Sequence, residues 1–253
     1  MNPREYLLNS FKVAVNAANP LHVVPPHLPK PPKGRTLVVG AGKAAAAMAL
    51  AVEQRWPPNA PMDGLVITRY GHALLTQKIK VVEAGHPVPD EQSIQATQQL
   101  TKAVQQLSSN DLLLCLFSGG GSSLLSAPAG NVKVNDLQNI TQQLLRSGAT
   151  IQEINIIRKH LSTVQGGKLA VMCNAPILAL IISDVVGDDP AFIASGLTVQ
   201  DTSTPHDALA ILDKYGFDTS SNIRGYLARA PELPRVTGDY TLVANAQSAI
   251  DAA

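Results

Sequence analysis

The sequence predicts an α/β protein, a three-layer α/β/α sandwich around a mainly parallel, Rossmann-like sheet, and three observations carry that expectation. Short apolar runs of strand length, at 34–40, 64–68, 78–84, 112–117 and 176–183, alternate with stretches of helical periodicity. Most of these runs lead straight into glycine- or aspartate-rich loops, and in a parallel sheet such loops gather on one rim, where ligands bind. The third is content. With 45% hydrophobic and 15% charged residues in 253, the chain can bury a core on both faces of a sheet.

Residues 3 to 18 place Tyr6, Leu7, Phe11, Ala14, Val15 and Ala18 at helical spacing, which predicts an amphipathic helix packed against the later part of the chain and closed by Pro20. Prolines 25, 26, 29, 31 and 32 make 21–33 an extended surface connection. The first strand then runs to Gly40 and turns through Ala41-Gly42-Lys43 into an alanine-rich helix over 44–54. Gly40-x-Gly42-x-x-Ala45 fits a relaxed dinucleotide fingerprint. The next strand, 64–68, ends at Arg69, whereas a ribose-binding acid would be expected there, and Asp63 lies at its other end; Arg69 suits a 2′-phosphate, so NADP stays open. A P-loop fails, because Ala44 follows Lys43 where a magnesium-binding hydroxyl belongs. Lys43 in the first turn of a helix opposes the macrodipole, which suits a lysine with an anion to meet, although a solvated surface lysine is the alternative.

The strand at 78–84 leads to Gly85-His86-Pro87, where His86 can be an acid, a substrate ligand or a loop histidine, and Asp90 caps a helix to about residue 107. The most informative stretch is 112–126: a strand buried on both faces runs into Ser118-Gly119-Gly120-Gly121-Ser122-Ser123 before apolar residues resume. Three residues without Cβ let the backbone approach an oxyanion, and amides and hydroxyls supply donors, so phosphate or carboxylate binding is expected, with a tight strand-to-helix turn needing positive φ as the alternative. Helices follow at 135–146 and 151–161, the second carrying Glu153, Asn155, Arg158, Lys159 and His160 as either a ligand cluster or a solvated face. Gly166-Gly167-Lys168 again permits close backbone approach. The strand over 176–183 ends in Asp184-Val185-Val186-Gly187-Asp188, carboxylates at a strand end that suit magnesium or substrate, while Asp189-Pro190 reads as a turn cap. The small turn Ile193-Ala194-Ser195-Gly196, helices at 205–215 and 220–229, a strand at 240–244 and a last helix that looks cut short at Ala253 complete the chain.

A formal net charge of +1 with no basic stripe gives nucleic acid and anionic membranes no special claim, and 4% aromatic residues argue against a base-stacking surface. No export signal and no membrane-length apolar run is apparent. Cys115 and Cys173 lack metal-site spacing and read as core thiols in a reducing cytoplasm.

The segments VVGAGKAAAAMA, EAGHPVPDEQS, LFSGGGSSLLSAP, INIIRKHLSTVQGGKLA and IISDVVGDDPAFIASGLTVQD, spread over most of residues 35–205, resemble the glycerate 2-kinase family, bacterial enzymes also known by the name hydroxypyruvate reductase. The resemblance places residues 1–253 as a single N-terminal α/β domain and implies transfer of the γ-phosphate of ATP to the 2-hydroxyl of D-glycerate, with Mg2+, in a cleft between two domains. By the same likeness Lys43 is catalytic, Gly42 and Ser118 to Ser123 cradle phosphate or carboxylate with His86, Arg158 and Lys168, and Asp184 and Asp188 hold metal or orient the hydroxyl. Leu197, Gln165 and Ile156 depart from the family pattern, which bears on loop rigidity. The family's smaller C-terminal domain has no counterpart in this sequence, so weak turnover by this chain alone is expected, with that domain as its natural partner; a homodimer stays open. The alternatives are an NADP-dependent hydroxypyruvate reductase and a catalytically silent binding or assembly module.

Overall fold

The computed structural model describes residues 2–236 and 238–253. Helix α1 (Pro3–Ala17) and a short α2 (Pro20–Val23) precede β1 (Thr36–Ala41), α3 (Ala45–Arg55), β2 (Met62–Arg69), β3 (Ile79–Ala84), α4 (Glu91–Gln105) and β4 (Leu112–Ser118). Then come α5 (Gly121–Leu124), α6 (Val134–Arg146), α7 (Ile151–Leu161), α8 (Lys168–Val171), β5 (Ile177–Ile182), α9 (Pro205–Lys214), α10 (Ser221–Leu227), β6 (Asp239–Ala244) and α11 (Ala246–Ala252). Among the described residues the strands form one six-stranded sheet, ordered β3-β2-β1-β4-β5-β6 and parallel at every pairing.

Strand periodicity sorts the core into two layers. Leu37, Val39, Leu113, Cys115 and Phe117 face α4 and α8, while Val38, Leu112, Leu114 and Leu116 face α3 and Trp56. Both faces are covered, which is why these strands read as continuous apolar runs rather than alternating ones. The order reverses between β1 and β4, so the loops leaving those two strands diverge and open a crevice at their C-terminal ends. The two loops are bound together there: the Lys43 amide donates to Gly119 O at 2.9 Å and the Ala44 amide to Ser118 Oγ at 3.1 Å.

Three expectations change. Residues 21–33 are not wholly extended, because Pro20 occupies the first turn of α2, where its fixed φ suits a helix, and the Asn19 side chain caps Leu21 N at 3.1 Å. A 3-10 turn follows at Pro25–His27. Helix α1 forms, closed by an Asn2–Glu5 capping box, but it buries none of its residues; it lies against α11 and leaves Tyr6, Leu7 and Phe11 exposed. Beyond the sandwich, α6, α7, α9 and α10 build a core of their own from Leu137, Ile140, Leu144, Ile157, Leu161, Leu212, Phe217 and Leu227. Helix α7 carries one face into that core and presents another to the crevice.

Candidate functional site

A cavity of about 440 Å³ opens at the β1/β4 crevice, walled by Lys43, His86, Gly119, Gly120, Ser122, Ser123, Asn155, Arg158, Asp184 and Phe192 among others. Its floor is glycine for a steric reason. A Cβ on Gly119 would collide with the Asp184 carboxylate, and one on Gly120, whose φ is +87°, would stand 2.6 Å from His86 Nε2. Gly121 and Gly42 are needed for packing instead: a Cβ on Gly121 would meet Ala194 Cβ at 2.7 Å, and one on Gly42 would strike Ser118.

Lys43 immediately precedes Ala44, the N-cap of α3, rather than sitting in the helix's first turn. Its Nζ lies 3.3 Å from Asp184 Oδ2, with both side chains about half exposed. A pair so open to solvent adds at most about 1 kcal/mol to stability, so its ammonium can be shared with a ligand anion at little cost. Arg158 reaches the cavity from α7, and burial lowers its guanidinium to about 10 without discharging it at neutral pH. Among the described residues it has no hydrogen bond or ion pair, which leaves all of its donors for an anion. His86 is held below its ordinary value, first by burial and then by the cations Lys43, Arg69 and Arg158, so it is uncharged at neutral pH. A cationic cavity with one carboxylate and one neutral imidazole is suited to polyanions.

The remaining predicted residues divide. Ser122 and Ser123 line the cavity. Ser118 lies beneath it, its hydroxyl spent on the Ala44 amide. Lys168 is turned away: Nζ donates to Lys159 O at 2.7 Å and to Ser162 O, closing the last turn of α7, and burial pushes it down to about 8. Carbonyls left over at a helix end compete for a buried ammonium, and here they win. Asp188, at φ +53°, accepts from Asn245 Nδ2 at 2.6 Å and does not line the cavity. Among the described residues no group of three or more His, Cys, Asp or Glu is placed to hold a metal. Arg69 ends β2 exposed, and it does not line the cavity.

Asn155 and Phe192 complete the wall; the sequence offered Asn155 only as one member of a charged cluster and did not point to Phe192 at all. Ile151, Asn155 and Arg158, at i, i+4 and i+7, share one face of α7, a pattern that the charged cluster concealed. Phe192 gave no local signal; its ring sits 4.9 Å from Lys159 Nζ, which is buried in an ion pair with Asp201.

Comparison with known proteins agrees with this architecture. A protein of Agrobacterium vitis, provisionally named as a hydroxypyruvate reductase, is 48% identical over the whole chain, and the D-glycerate 2-kinase of Thermotoga maritima is 40% identical over 99% of it. The crystal structure of a glycerate kinase from Thermotoga maritima superposes with a TM-score of 0.88 at 39% identity over 98% of the chain. The chain spans about 58% to 60% of the length of these relatives. Among the described residues no helix is long and apolar enough to cross a membrane. A family model described as a domain of unknown function, DUF4147, matches residues 6–228, and the chain belongs to that family.

Proposed function

We propose that residues 1–253 are the N-terminal, cavity-bearing α/β domain of a glycerate 2-kinase, which transfers the γ-phosphate of ATP to the 2-hydroxyl of D-glycerate. The observation that carries this reading is the arrangement at the β1/β4 crevice: Lys43 paired loosely with Asp184 over Gly119 and Gly120, facing an unpaired Arg158. Phosphoryl transfer asks for alignment and neutralisation of charge more than for covalent chemistry, and these residues supply both. In the reaction a bond forms between the glycerate 2-oxygen and the γ-phosphorus while the bond from phosphorus to the β,γ-bridging oxygen breaks. Lys43 stabilises the charge on the transferring group, and Arg158 holds a carboxylate or phosphate by its planar fork. His86, uncharged, is the cavity's base for the hydroxyl proton.

A magnesium ion fits as a partly protein-bound group. Such ions take one or two carboxylates with water and phosphate oxygens, and of the two predicted acids only Asp184 reaches the cavity. When bound, it would neutralise the nucleotide's phosphates. Leu145 and Ile151, each nearly half exposed, and the fully exposed Val186 rim the cavity with apolar surface, which supports a further domain facing it. Such a domain is the second half of this proposal, and turnover by this chain alone is expected to be low.

The test is a coupled assay on this chain and on a longer protein containing it. Release of ADP that depends on D-glycerate is expected, and Lys43→Ala should lower turnover about a hundredfold or more, the scale of losing one preorganised charge donor. The strand order and the Gly40-x-Gly42 turn favour a second reading, an NADP-dependent reductase. Oxidation of NADPH by hydroxypyruvate, without glycerate-dependent ADP release, would establish it in place of the kinase.

A further inference from the structure

A chain of side chains runs inward from the cavity wall, and its hydrogens can be counted. Asn155, buried on α7, has Nδ2 3.3 Å from Phe192 O. A carbonyl can only accept, so the amide orientation is fixed and Asn155 Oδ1 points at Ser195 Oγ, 2.9 Å away. That oxygen can only accept too. Ser195 is fully buried, and its single hydroxyl hydrogen must therefore go to Asn155 Oδ1; otherwise two lone pairs would face each other in the interior. Ser195 Oγ also lies 2.8 Å from Ser122 Oγ. With its own hydrogen engaged, Ser195 can only accept there, so the Ser122 hydrogen is drawn inward.

The turn is held rigidly for this. Ala194, Ser195 and Gly196 sit at φ +50°, +58° and +61°, and the Gly166 and Gly167 amides donate to Ser195 O and Gly196 O at 3.0 and 2.7 Å. Gln165 Nε2 fixes the other partner, donating to Ser122 O at 2.7 Å. Ser122, partly buried on the cavity wall, is left with lone pairs and no hydrogen to give.

We propose that Ser122 is a specificity-determining acceptor, not an anion donor, and that it reads the non-reacting 3-hydroxyl of the hydroxy-acid substrate through the relay Ser122–Ser195–Asn155. The 3-hydroxyl is the fitting partner because the reacting hydroxyl must surrender its proton to a base, and a serine hydroxyl whose own hydrogen is engaged is no base. This assignment rests on the hydroxy-acid reading of the cavity. It makes Asn155 and Ser195 positioning residues that fix the polarity of Ser122 without touching substrate.

Three acids that differ only at C3 test it by calorimetry on this chain: D-glycerate has a donor there, D-lactate a methyl group, and tartronate a carboxylate that only accepts. The unaltered chain is expected to bind D-glycerate about tenfold more tightly than D-lactate, the low end of what a hydroxyl-reading site achieves. Ser122→Ala should bring these two within about twofold. Ser195→Ala frees the Ser122 hydrogen to turn outward, so binding of tartronate relative to D-glycerate should rise about fivefold or more over the unaltered chain. A purely structural role for the relay would weaken all three acids alike. An unchanged glycerate-to-lactate ratio in Ser122→Ala, or an unchanged tartronate ratio in a Ser195→Ala chain that keeps the native circular dichroism, overturns the proposal and leaves the kinase reading standing. Absence of D-glycerate binding to the unaltered chain overturns this proposal, while the kinase reading is decided separately by glycerate-dependent ADP release from the longer protein. If Ser195→Ala does not fold, the Ser122→Ala ratio decides alone.

Discussion

At Gly120 two requirements fall on one residue: a φ of +87° and a backbone that passes within reach of His86 Nε2. Gly120→Ala therefore adds left-handed strain of about 1–2 kcal/mol and pushes His86 from the cavity. We expect it to abolish detectable ligand binding by calorimetry while the protein still folds, as read by circular dichroism; retained binding would show that the imidazole need not lie against the floor. At this scale the sequence was informative where chemistry is local. Consecutive glycines announce a close approach whatever surrounds them, and Lys43 beside a strand end falls at the crevice. Lys168 misled because its neighbours in space are the final carbonyls of α7, and a sequence does not say which way a lysine beside a glycine pair turns. Asp188 misled for the same reason, since Asn245 lies 57 residues away.

Helix α7 joins the cavity to a buried polar layer on its far side. His160, further along the same helix, sits 3.2 Å from Ser203 Oγ with Lys168, Asp201 and Asp207 around it, and burial with the Lys168 charge pushes it down to about 4 from 6.5. A depressed value means the unfolded chain takes the proton first. The stability this group contributes is complete above about pH 6.5 and is lost as pH falls from there towards 4. At 1.36 kcal/mol per unit the whole loss is on the order of 3 kcal/mol. Thermal unfolding followed from pH 7 to 4.5 should show a shallower decline in His160→Gln than in the unaltered chain, and equal slopes would mean that His160 titrates normally. Helix α7 was legible to the residue at both ends, because Thr150 and Glu153 form a capping box and the apolar spacing is regular. Its role as a shared wall was not legible. That depends on α6, α9 and α10 gathering into a second core, and contacts over such separations leave no period in the sequence.

For the molecule as a whole, the alternation of apolar runs and helices gave the sandwich and its parallel sheet, since two-sided burial leaves a direct trace in composition. The strand order and the reversal between β1 and β4 were not readable, because register and order are fixed by crossovers rather than by any one segment. Helix α1 stands outside this economy of burial: it rests on α11, and none of its side chains enters either sheet layer. Removal of residues 1–18 should leave D-glycerate binding unchanged. The same truncation should move Tm by no more than about 4 °C, the shift that ~1 kcal/mol produces in a chain of this length. A larger fall would give α1 a share in the core.

A wholly parallel sheet also has a polarity that can be used. Every strand ends on the cavity side of the sheet, so the opposite end carries returns such as the Pro57–Ala60 turn before β2 and the Asp111 carboxylate that takes the Ser108 and Arg35 amides. Six-residue strands put roughly 20 Å between the two ends. Asn59, exposed on that far side, is thus a place to attach a fluorophore or anchor the protein to a sensor surface with the binding mouth pointing into solution.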